Sequence, residues 1–507
     1  MNNIVIPEDY VLADTRERKL LKSLEQIQEE DDPYAYQRAE KKYLSILEKH
    51  RGIYYDEDKK DVDYNVFSQY FLKRCKVFSV GEKPFYAYSK ATHCYEEVSE
   101  RTIKKMARCI LGEVDTDFYF GVGREIFKNV QDAMEEWRGR LATPGIIVFR
   151  NGTLHLNLDS DQPMMFEKKF SSKNVVFHSL PYDYNPEATC PKFQAFLRQC
   201  MKGDEELVSL LRDCCANIFS FGEAYVQHLV FFYGIGRNGK SVLCRLLEYL
   251  FPEMVSNVAL SRMTQRFGNA SMEDAVLNIS EEAEKELKDT SLIKEMSAGS
   301  TVSVERKGKD ITSARMTVKL FVTTNSFPKV SDKSKGWEDR LTIIPFDQIF
   351  EVAPADGQRK EGVLYQNPHM LDELKEEREG IAAWLLEGLE ALKERGWVLS
   401  DCKRAKELKL RILLQAQPVR LFFRSCIKVA VGQKIRTREL HCAFISWARE
   451  HDVDMEDTLS SRSFQESIRN ILRENKLDGI PRKIQGNQYY VDIRLKDKYL
   501  LCIDYGI

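Results

Sequence analysis

The sequence lacks the features that would place it in a membrane or in an oxidising compartment. No apolar run approaches the roughly 18 residues that a membrane-spanning helix requires. The amino terminus has no basic segment followed by an apolar core, so no secretory signal is predicted. The twelve cysteines are scattered and include no C-x-x-C pair, which argues against a zinc cluster and a disulfide framework. We therefore expect a cytoplasmic protein with reduced thiols and no membrane partner.

The chain as a whole also lacks a strong charge of either sign. Its 507 residues carry 76 Lys and Arg against 78 Asp and Glu, for a net charge of −2. The balance is uneven, because the segment from Asp401 to Ile507 is net basic and the rest is net acidic. A basic end on a near-neutral chain weakly indicates a polyanion partner. The length allows about three domains.

The stretch FFYGIGRNGKSVL, residues 231–243, is a glycine-rich loop between a predicted strand and a predicted helix. Its spacing fits the pattern G-x-x-x-x-G-K-[ST]. The backbone amides of such a loop point into a concavity at the amino end of the helix, where they bind phosphate. The lysine reaches the outer phosphates and the serine hydroxyl holds Mg²⁺. We predict that ATP and Mg²⁺ bind to Gly234, Gly236, Asn238, Gly239, Lys240, Ser241 and Val242.

A phosphate loop binds nucleotide, but hydrolysis also needs an acidic group for the metal and the water. The segment AVLNISEEAEKE, residues 275–286, reads as a short apolar strand that ends in carboxylates. Glu281 would lie near Mg²⁺ together with Ser241, and Glu282 would polarise the attacking water. Acidic runs are also common at the solvated starts of helices, and this alternative stays open.

Two further candidates lie at the ends of apolar strands. In VTTNSFP, Asn325 could hydrogen-bond the lytic water and the γ-phosphate, although it could also begin a turn before Pro328. In GWEDRLTIIPF, Arg340 precedes another strand and could reach a nucleotide held by a neighbouring subunit. The predicted catalytic residues are Lys240, Glu281, Glu282, Asn325 and Arg340.

The ordered series of these segments resembles the superfamily 3 AAA+ helicases, in particular the helicase half of phage and plasmid primase-helicases. The segments are GIGRNGKS, NISEE, KEMSAGSTVSVERK, VTTNSFP and DRLTIIPF, and the resemblance covers about residues 145 to 505. Val242 stands where threonine is common. The stretch SAGST, residues 297–301, replaces a more usual Gly-Gly-Asp, which leaves the geometry of that turn open.

The resemblance implies an α/β fold with a P-loop AAA+ core built on a parallel sheet. An α+β or helical amino-terminal region would precede this core, and a carboxy-terminal winged-helix domain would follow it. The expected boundaries are an amino-terminal region of unassigned role at 1–188, a helical collar at 189–225, the ATPase core at 226–347, a linker and helical segment at 348–415, and the winged helix at 416–507. The first region shows neither a zinc site nor an acidic triad, so we do not expect a primase.

The segment TVSVERKGKDITSARMTVKL, residues 301–320, predicts two strands joined by a basic tight turn at 307–310. In the resembled family this hairpin projects into the central channel of a ring. Lys307 and Lys309 would then contact the nucleic-acid backbone, because such contacts are ionic and independent of sequence. The alternative is a surface hairpin that lysines keep soluble.

The segment SSRSFQESIRNILREN, residues 460–475, predicts a recognition helix in the carboxy-terminal region. The segment PRKIQGNQYYVDIRLK, residues 481–496, predicts a hairpin that turns at Gly486-Asn487. The residues that would face DNA are Arg462, Arg469, Arg482 and Lys483. Folds of this type also serve protein contacts, so both partners stay open.

We therefore expect an ATP-dependent DNA helicase that forms a ring, expected to be a hexamer. It would act on single-stranded or forked DNA in the replication of a phage, plasmid or other mobile element, and a separate primase, polymerase or initiator could act with it. The alternative is a DNA-bound initiator or switch that uses ATP without processive unwinding. The basic hairpin favours the helicase, because a switch does not need it.

Overall fold

A computed structural model gives the structure of the chain. It describes residues 6–29, 33–56, 59–80, 84–113, 123–136, 142–281, 286–287, 289–307, 311–330, 332, 334–354, 360–451, 453 and 461–496. The fold is mixed α/β, as expected, and a parallel five-stranded sheet lies at its centre.

The amino-terminal region combines helices with short strands. Its helices are α1 (Thr15–Glu29), α2 (Pro33–His50), α3 (Tyr64–Arg74), α4 (Glu100–Gly112) and α5 (Gly123–Ala133). Its strands are β1 (Ile53–Asp56), β2 (Lys59–Val62), β3 (Val77–Ser79), β4 (Phe85–Tyr88), β5 (Tyr95–Val98) and β6 (Glu135–Glu136). Strands β1 and β2 form a hairpin, and the other four form one sheet in the order β5-β4-β3-β6. This region has a hydrophobic core of its own, centred on α3, α4 and α5.

A second small sheet and two helices lead into the central sheet. The strands are β7 (Ile146–Phe149), β8 (Gly152–His155), β9 (Met165–Glu167) and β10 (Ser179–Leu180), and the helices are α6 (Pro191–Cys200) and α7 (Glu205–Ala216). Proline at the first position starts α6, and the Asp204 side chain caps the amino end of α7. These two helices occupy the position of the expected collar.

The central region runs from residue 229 to residue 345. Its elements are β11 (Leu229–Tyr233), α8 (Lys240–Leu250), β12 (Val255–Ser256), α9 (Leu260–Met263), β13 (Leu277–Glu281), β14 (Glu286–Leu287), α10 (Ser291–Ser297), β15 (Thr301–Val304), β16 (Thr312–Arg315), β17 (Lys319–Thr324), β18 (Lys329–Val330), α11 (Lys335–Arg340) and β19 (Leu341–Pro345). The five-stranded sheet has the order β12-β13-β17-β11-β19, and every neighbouring pair is parallel.

Both faces of the central sheet are buried, as is usual for parallel strands. Phe232 and Phe321 belong to the core on one face, whereas Phe231 and Val322 belong to the core on the other. Large apolar side chains therefore fix β11 and β17 in place from both sides. The same two strands end beside the glycine-rich loop.

Three helices follow the sheet: α12 (Met370–Glu376), α13 (Arg378–Glu394) and α14 (Lys403–Ala416). They pack against earlier parts of the chain, since Arg395 forms an ion pair with Asp213 of α7 at 2.7 Å. Lys409 of α14 donates to the carbonyl oxygen of Leu341 in β19 at 2.7 Å. The segment that follows the sheet therefore supports both the sheet and α7.

The carboxy-terminal region contains α15 (Pro418–Cys426), β20 (Ile427–Arg436), α16 (Thr437–Glu450), α17 (Ser461–Glu474), β21 (Arg482–Ile484) and β22 (Asn487–Leu495). Its three antiparallel strands have the order β20-β22-β21. The turn between β21 and β22 consists of Gln485 and Gly486, with φ of +48° and +85°. The predicted turn at Gly486-Asn487 is thus one residue too far along, because a two-residue turn of this type needs positive φ at both central positions.

Among the residues that the structure describes, no helix is both long enough and apolar enough to cross a membrane. Every cysteine within the described ranges is a free thiol, and all of them except Cys109 and Cys442 are buried. The expectation of reduced, mostly buried thiols agrees with this distribution.

Candidate nucleotide-binding site

The glycine-rich loop begins where β11 ends, at the carboxyl edge of the central sheet. The amide of Gly234 donates to the carbonyl oxygen of Thr324, at the end of β17, with an N–O distance of 3.1 Å. A Cβ atom on Gly234 would lie 2.3 Å from the carbonyl oxygen of Phe346, directly after β19. A side chain therefore cannot fit at this position, and the start of the loop is held between both neighbouring strands.

The rest of the loop is shaped by positive φ angles and by one buried side chain. Gly239 caps α8 with a φ of +90°, and a Cβ atom there would lie 2.5 Å from the sulfur of Cys200 in α6. The Asn238 side chain is buried and donates to the Phe346 carbonyl oxygen at 2.9 Å. Gly236, with a φ of +108°, borders open space. The loop is thus anchored on its inner side and open on the outer side, where a phosphate could approach.

Lys240 is a buried cation at the first position of α8. Its residue is only 7% exposed, and its ammonium donates across the loop to the carbonyl oxygen of Gly234. Burial lowers the pKa of Lys240. A phosphate oxygen bound in the loop would give this ammonium an ionic partner, which favours the charged form. The donor set therefore fits a polyphosphate. Ser241, the next residue, is exposed.

Two of the predicted polar side chains lie at the same edge of the sheet as the loop. Glu281 is the last residue of β13 and is exposed, and Asn325 directly follows β17 and is also exposed. The strand register aligns Glu281 with Thr323, and Tyr233 with Thr324. Because the carboxyl ends of parallel strands meet at one edge, Glu281 and Asn325 flank the phosphate loop. Glu282 lies outside the described residues.

Arg340 lies at the opposite edge of the sheet. It ends α11 and directly precedes β19, whose first residue, Leu341, is in register with Leu229 at the start of β11. A five-residue strand spans roughly 16 Å, and the loop begins after the far end of β11. The structure therefore does not bring Arg340 to the phosphate loop of its own chain.

The guanidinium of Arg340 is held by three oxygen atoms. It donates to the hydroxyl of Ser297 at 3.2 Å, to the carbonyl oxygen of Gly336 at 2.7 Å and to the side chain of Gln227 at 3.4 Å. The sequence analysis missed Ser297 and Gln227 as neighbours of Arg340. One signal pointed to the first of them, because Ser297 opens the SAGST stretch in which the sequence departs from the resembled family.

The predicted hairpin is present as strands β15 and β16, which pair in antiparallel fashion from Thr301–Arg315 to Val304–Thr312. Val302 and Val304 are buried beneath it. Seven residues, 305–311, connect the strands. Lys307 is exposed in this connection, whereas Lys309 and most of the predicted turn at 307–310 lie outside the described residues.

The four predicted basic residues of the carboxy-terminal region are all exposed. Arg462 and Arg469 lie on α17. Arg482 forms an ion pair with Asp478 at 3.3 Å. Arg482 is in register with Tyr489, and Lys483 with Gln488. Because neighbouring residues of a strand face opposite sides, Arg482 and Lys483 lie on opposite faces of the sheet and cannot contact one surface together.

Comparison with known families gives two matches. Residues 49–202 are similar to the family described as D5 N terminal like. Residues 232–340 are similar to a family of unknown function, DUF5906. The first match agrees with the resemblance to a phage primase-helicase and extends upstream of residue 145, where that resemblance was expected to begin. The second match starts within β11 and ends at Arg340, so it contains Lys240, Glu281, Asn325 and Arg340. No curated protein matches this chain.

Among solved structures, the chain is similar to three described as apo structures of the NrS-1 C terminal region. The first, an A form, has a TM-score of 0.45 at 13% identity and covers 84% of this chain and 86% of that chain. The second has a TM-score of 0.46 at 11% identity and covers 86% and 100%. The third, also an A form, has a TM-score of 0.45 at 12% identity and covers 82% and 96%.

Proposed function

We propose that this protein is an ATP-dependent DNA helicase that forms a ring and acts in the replication of a phage or another mobile element. The observation that carries the proposal is the anchored loop from Gly234 to Gly239, with the buried ammonium of Lys240 beneath it. The D5 N terminal-like match supports the replication context.

The residues at the carboxyl edge would divide the work of binding and hydrolysis. ATP, when bound, supplies the γ-phosphoryl group whose transfer to water releases the free energy for movement. The loop amides and the amino end of α8 would donate hydrogen bonds to its phosphates, and Lys240 would exchange the Gly234 carbonyl for a phosphate oxygen. Ser241 and Glu281 would hold Mg²⁺. Glu282 would accept a proton from the attacking water, which Asn325 would orient.

The position of Arg340 supports a site shared between two copies of the chain. A guanidinium that stabilises charge on the γ-phosphate must contact it, yet Arg340 lies at the far edge of its own sheet. An arginine supplied by the next copy resolves this geometry. Contacts in which each copy offers a different surface close into a ring when the rotation permits it. We therefore propose a ring, with a hexamer as the expected size.

The basic residues would supply the DNA contacts of the ring. The hairpin of β15 and β16 presents Lys307 on an exposed connection, and its strands are anchored by the buried Val302 and Val304. In the carboxy-terminal region, helix α17 followed by the β21–β22 hairpin is the order of a recognition helix and a wing. We propose that this region is a winged-helix domain whose Arg462 and Arg469 contact DNA.

Replacement of Lys240 tests the nucleotide part of the proposal. We expect Lys240→Ala to lose ATP hydrolysis and to bind ATP at least about tenfold more weakly, since it removes an ionic contact with phosphate. Arg245→Ala is the matched control, because Arg245 is an exposed cation on the same helix. Hydrolysis by Lys240→Ala at the rate of the parent would exclude this loop as the ATP site.

A further inference from the structure

The three-stranded carboxy-terminal sheet has one face packed against helices and one face open to solvent. Ile435, Tyr490 and Ile493 lie on the packed face, within the same hydrophobic core as Phe464 and Ile468 of α17. Because side chains alternate along a strand, the residues next to Ile435 and Tyr490 lie on the other face. Helix α17 and its exposed arginines thus lie on the packed side of the sheet, away from the open face.

The open face is rich in cations. The register pairs Lys428 with Arg494, Lys434 with Val491, and Arg436 and Arg482 with Tyr489 from either side. Lys428, Lys434, Arg436 and Arg482 are exposed. Two carboxylates lie beside these cations, Glu439 at 3.7 Å from Arg436 and Asp478 at 3.3 Å from Arg482. They offset part of the charge, and this face keeps an excess of positive charge.

A half-exposed tyrosine lies in the middle of these cations. Tyr489 is on the central strand, β22, between Arg436 on one edge strand and Arg482 on the other. The Lys434 ammonium lies 5.2 Å from the centre of its ring, and Arg436 donates to its hydroxyl at 3.0 Å. The arrangement therefore combines one aromatic ring with cations on both sides, on a rigid sheet.

We infer that this face, the sheet platform formed by Lys428, Lys434, Arg436, Arg482 and Tyr489, binds single-stranded nucleic acid. Phosphate contacts with Lys and Arg are ionic, and a base can stack on an aromatic ring whatever its identity, so cations around an exposed ring match a flexible strand. Stacking requires a base that is not already stacked within a duplex, which favours a single strand over double-stranded DNA. An acidic protein segment would match the cations but would leave Tyr489 without a role.

The platform differs from the DNA contacts of the proposed function in both location and chemistry. Arg462 and Arg469 lie on a helix at the other face of the sheet. The platform also needs no nucleotide at the phosphate loop. Binding can therefore be measured without ATP, so that failure of the ATPase proposal and failure of this inference give separate results.

The experiment measures the affinity of the full chain for a fluorescent oligothymidine of about 30 nucleotides by anisotropy. Lys307→Ala with Lys309→Ala serves as the background, so that the proposed hairpin contacts do not mask the platform. We expect Lys434→Gln with Arg436→Gln to weaken binding about tenfold and to lower the slope of log K against log salt by about 1.4, which is two phosphate contacts on a single strand. Arg462→Gln with Arg469→Gln is the matched control and should change affinity by less than about twofold.

A second pair of variants isolates stacking from charge. Tyr489→Ala should bind oligothymidine about tenfold more weakly, while Tyr489→Phe should bind it like the parent, because a phenyl ring stacks equally well. On an abasic oligonucleotide of the same length, Tyr489→Ala and the parent should bind alike. Unchanged thermal unfolding of the variants would show that the platform residues are not needed for folding.

Three results would overturn the inference. The first is binding by the Lys434 and Arg436 double variant with the affinity and the salt slope of the parent. The second is loss of binding in the Arg462 and Arg469 control alone, which would place the strand on α17. The third is displacement of the oligonucleotide by polyglutamate of equal charge together with no effect of Tyr489→Ala, which would identify an acidic protein as the partner.

Discussion

Single residues show most clearly what local sequence could and could not predict. The loop glycines were predictable, because Gly234 and Gly239 meet close contacts within a motif of fixed spacing. The partners of Arg340 were not, since Ser297 and Gln227 lie 43 and 113 residues away along the chain. Only the fold brings them together.

Ser297 gives a prediction at this scale. Its hydroxyl accepts from Arg340 and donates to the Lys294 carbonyl oxygen at 2.9 Å, so it links the guanidinium to the backbone of α10. We expect Ser297→Ala to lower the ATPase rate of the assembled protein about fivefold, because Arg340 loses one of its acceptors.

The affinity for ATP should stay unchanged in Ser297→Ala, since the phosphate loop lies at the other edge of the sheet. Isothermal titration for affinity and a coupled assay for the rate would separate the two effects. Ser291→Ala, at the start of the same helix, is the control. A loss of ATP affinity in Ser297→Ala, with an unchanged rate at saturation, would contradict the positioning role.

At the scale of elements, the predictions succeeded where the pattern was local. The strand, loop and helix around Lys240 were predicted in the correct order, and so were the two strands of the basic hairpin. Strand β20 was missed, because the region around it was assigned to helices. Its sequence, IKVAVGQKIR, carried a signal in the alternation of Ile427, Val429 and Val431. Its partner, β22, lies about 60 residues further along, which local reasoning does not reach.

The packing of α13 against the collar yields a stability prediction. A Cβ atom on Gly380, in the first turn of α13, would lie 2.1 Å from the carbonyl oxygen of Thr189. The clash is with backbone, which cannot easily move, so we expect Gly380→Ala to lower the free energy of unfolding by about 2 kcal/mol.

Gly112→Ala, at the end of α4, is the matched control for Gly380→Ala. Nothing lies within 4 Å of the position that its Cβ would take. This variant should be neutral or slightly stabilising, because alanine is the better helix former. Chemical denaturation measures both changes. A Gly380→Ala protein as stable as the parent would show that the close approach of α13 to residue 189 is not required.

The basic hairpin yields a functional prediction. We expect Lys307→Ala with Lys309→Ala to abolish unwinding of a forked duplex while most of the basal ATPase activity remains, because the hairpin is separate from the phosphate loop. Lys168→Ala with Lys169→Ala removes two exposed lysines elsewhere and should leave unwinding intact. Loss of basal ATPase in the hairpin variant would count against a role in gripping DNA, and unwinding at the parental rate would exclude it.

At the scale of the whole molecule, sequence reasoning predicted a mixed α/β chain with a central parallel sheet, and the structure agrees. It left the role of the first third open, although residues 49–202 match a single family that spans the small amino-terminal sheets and α6. Short strands in that region pair across long loops, so no local pattern defines their sheet. The packing of α13 and α14 onto α7 and β19 was hidden for the same reason.

The central claim is that Lys240 of one copy and Arg340 of the next complete one ATP site. The most direct measurement is the ATPase rate of Lys240→Ala and Arg340→Ala chains, each alone and then mixed under assembling conditions. The account predicts that each variant alone is nearly inactive. The mixture should recover up to about a quarter of the parental rate, because that fraction of randomly formed interfaces pairs two intact residues. A mixture as inactive as its components, or an Arg340→Ala protein as fast as the parent, would contradict a shared site.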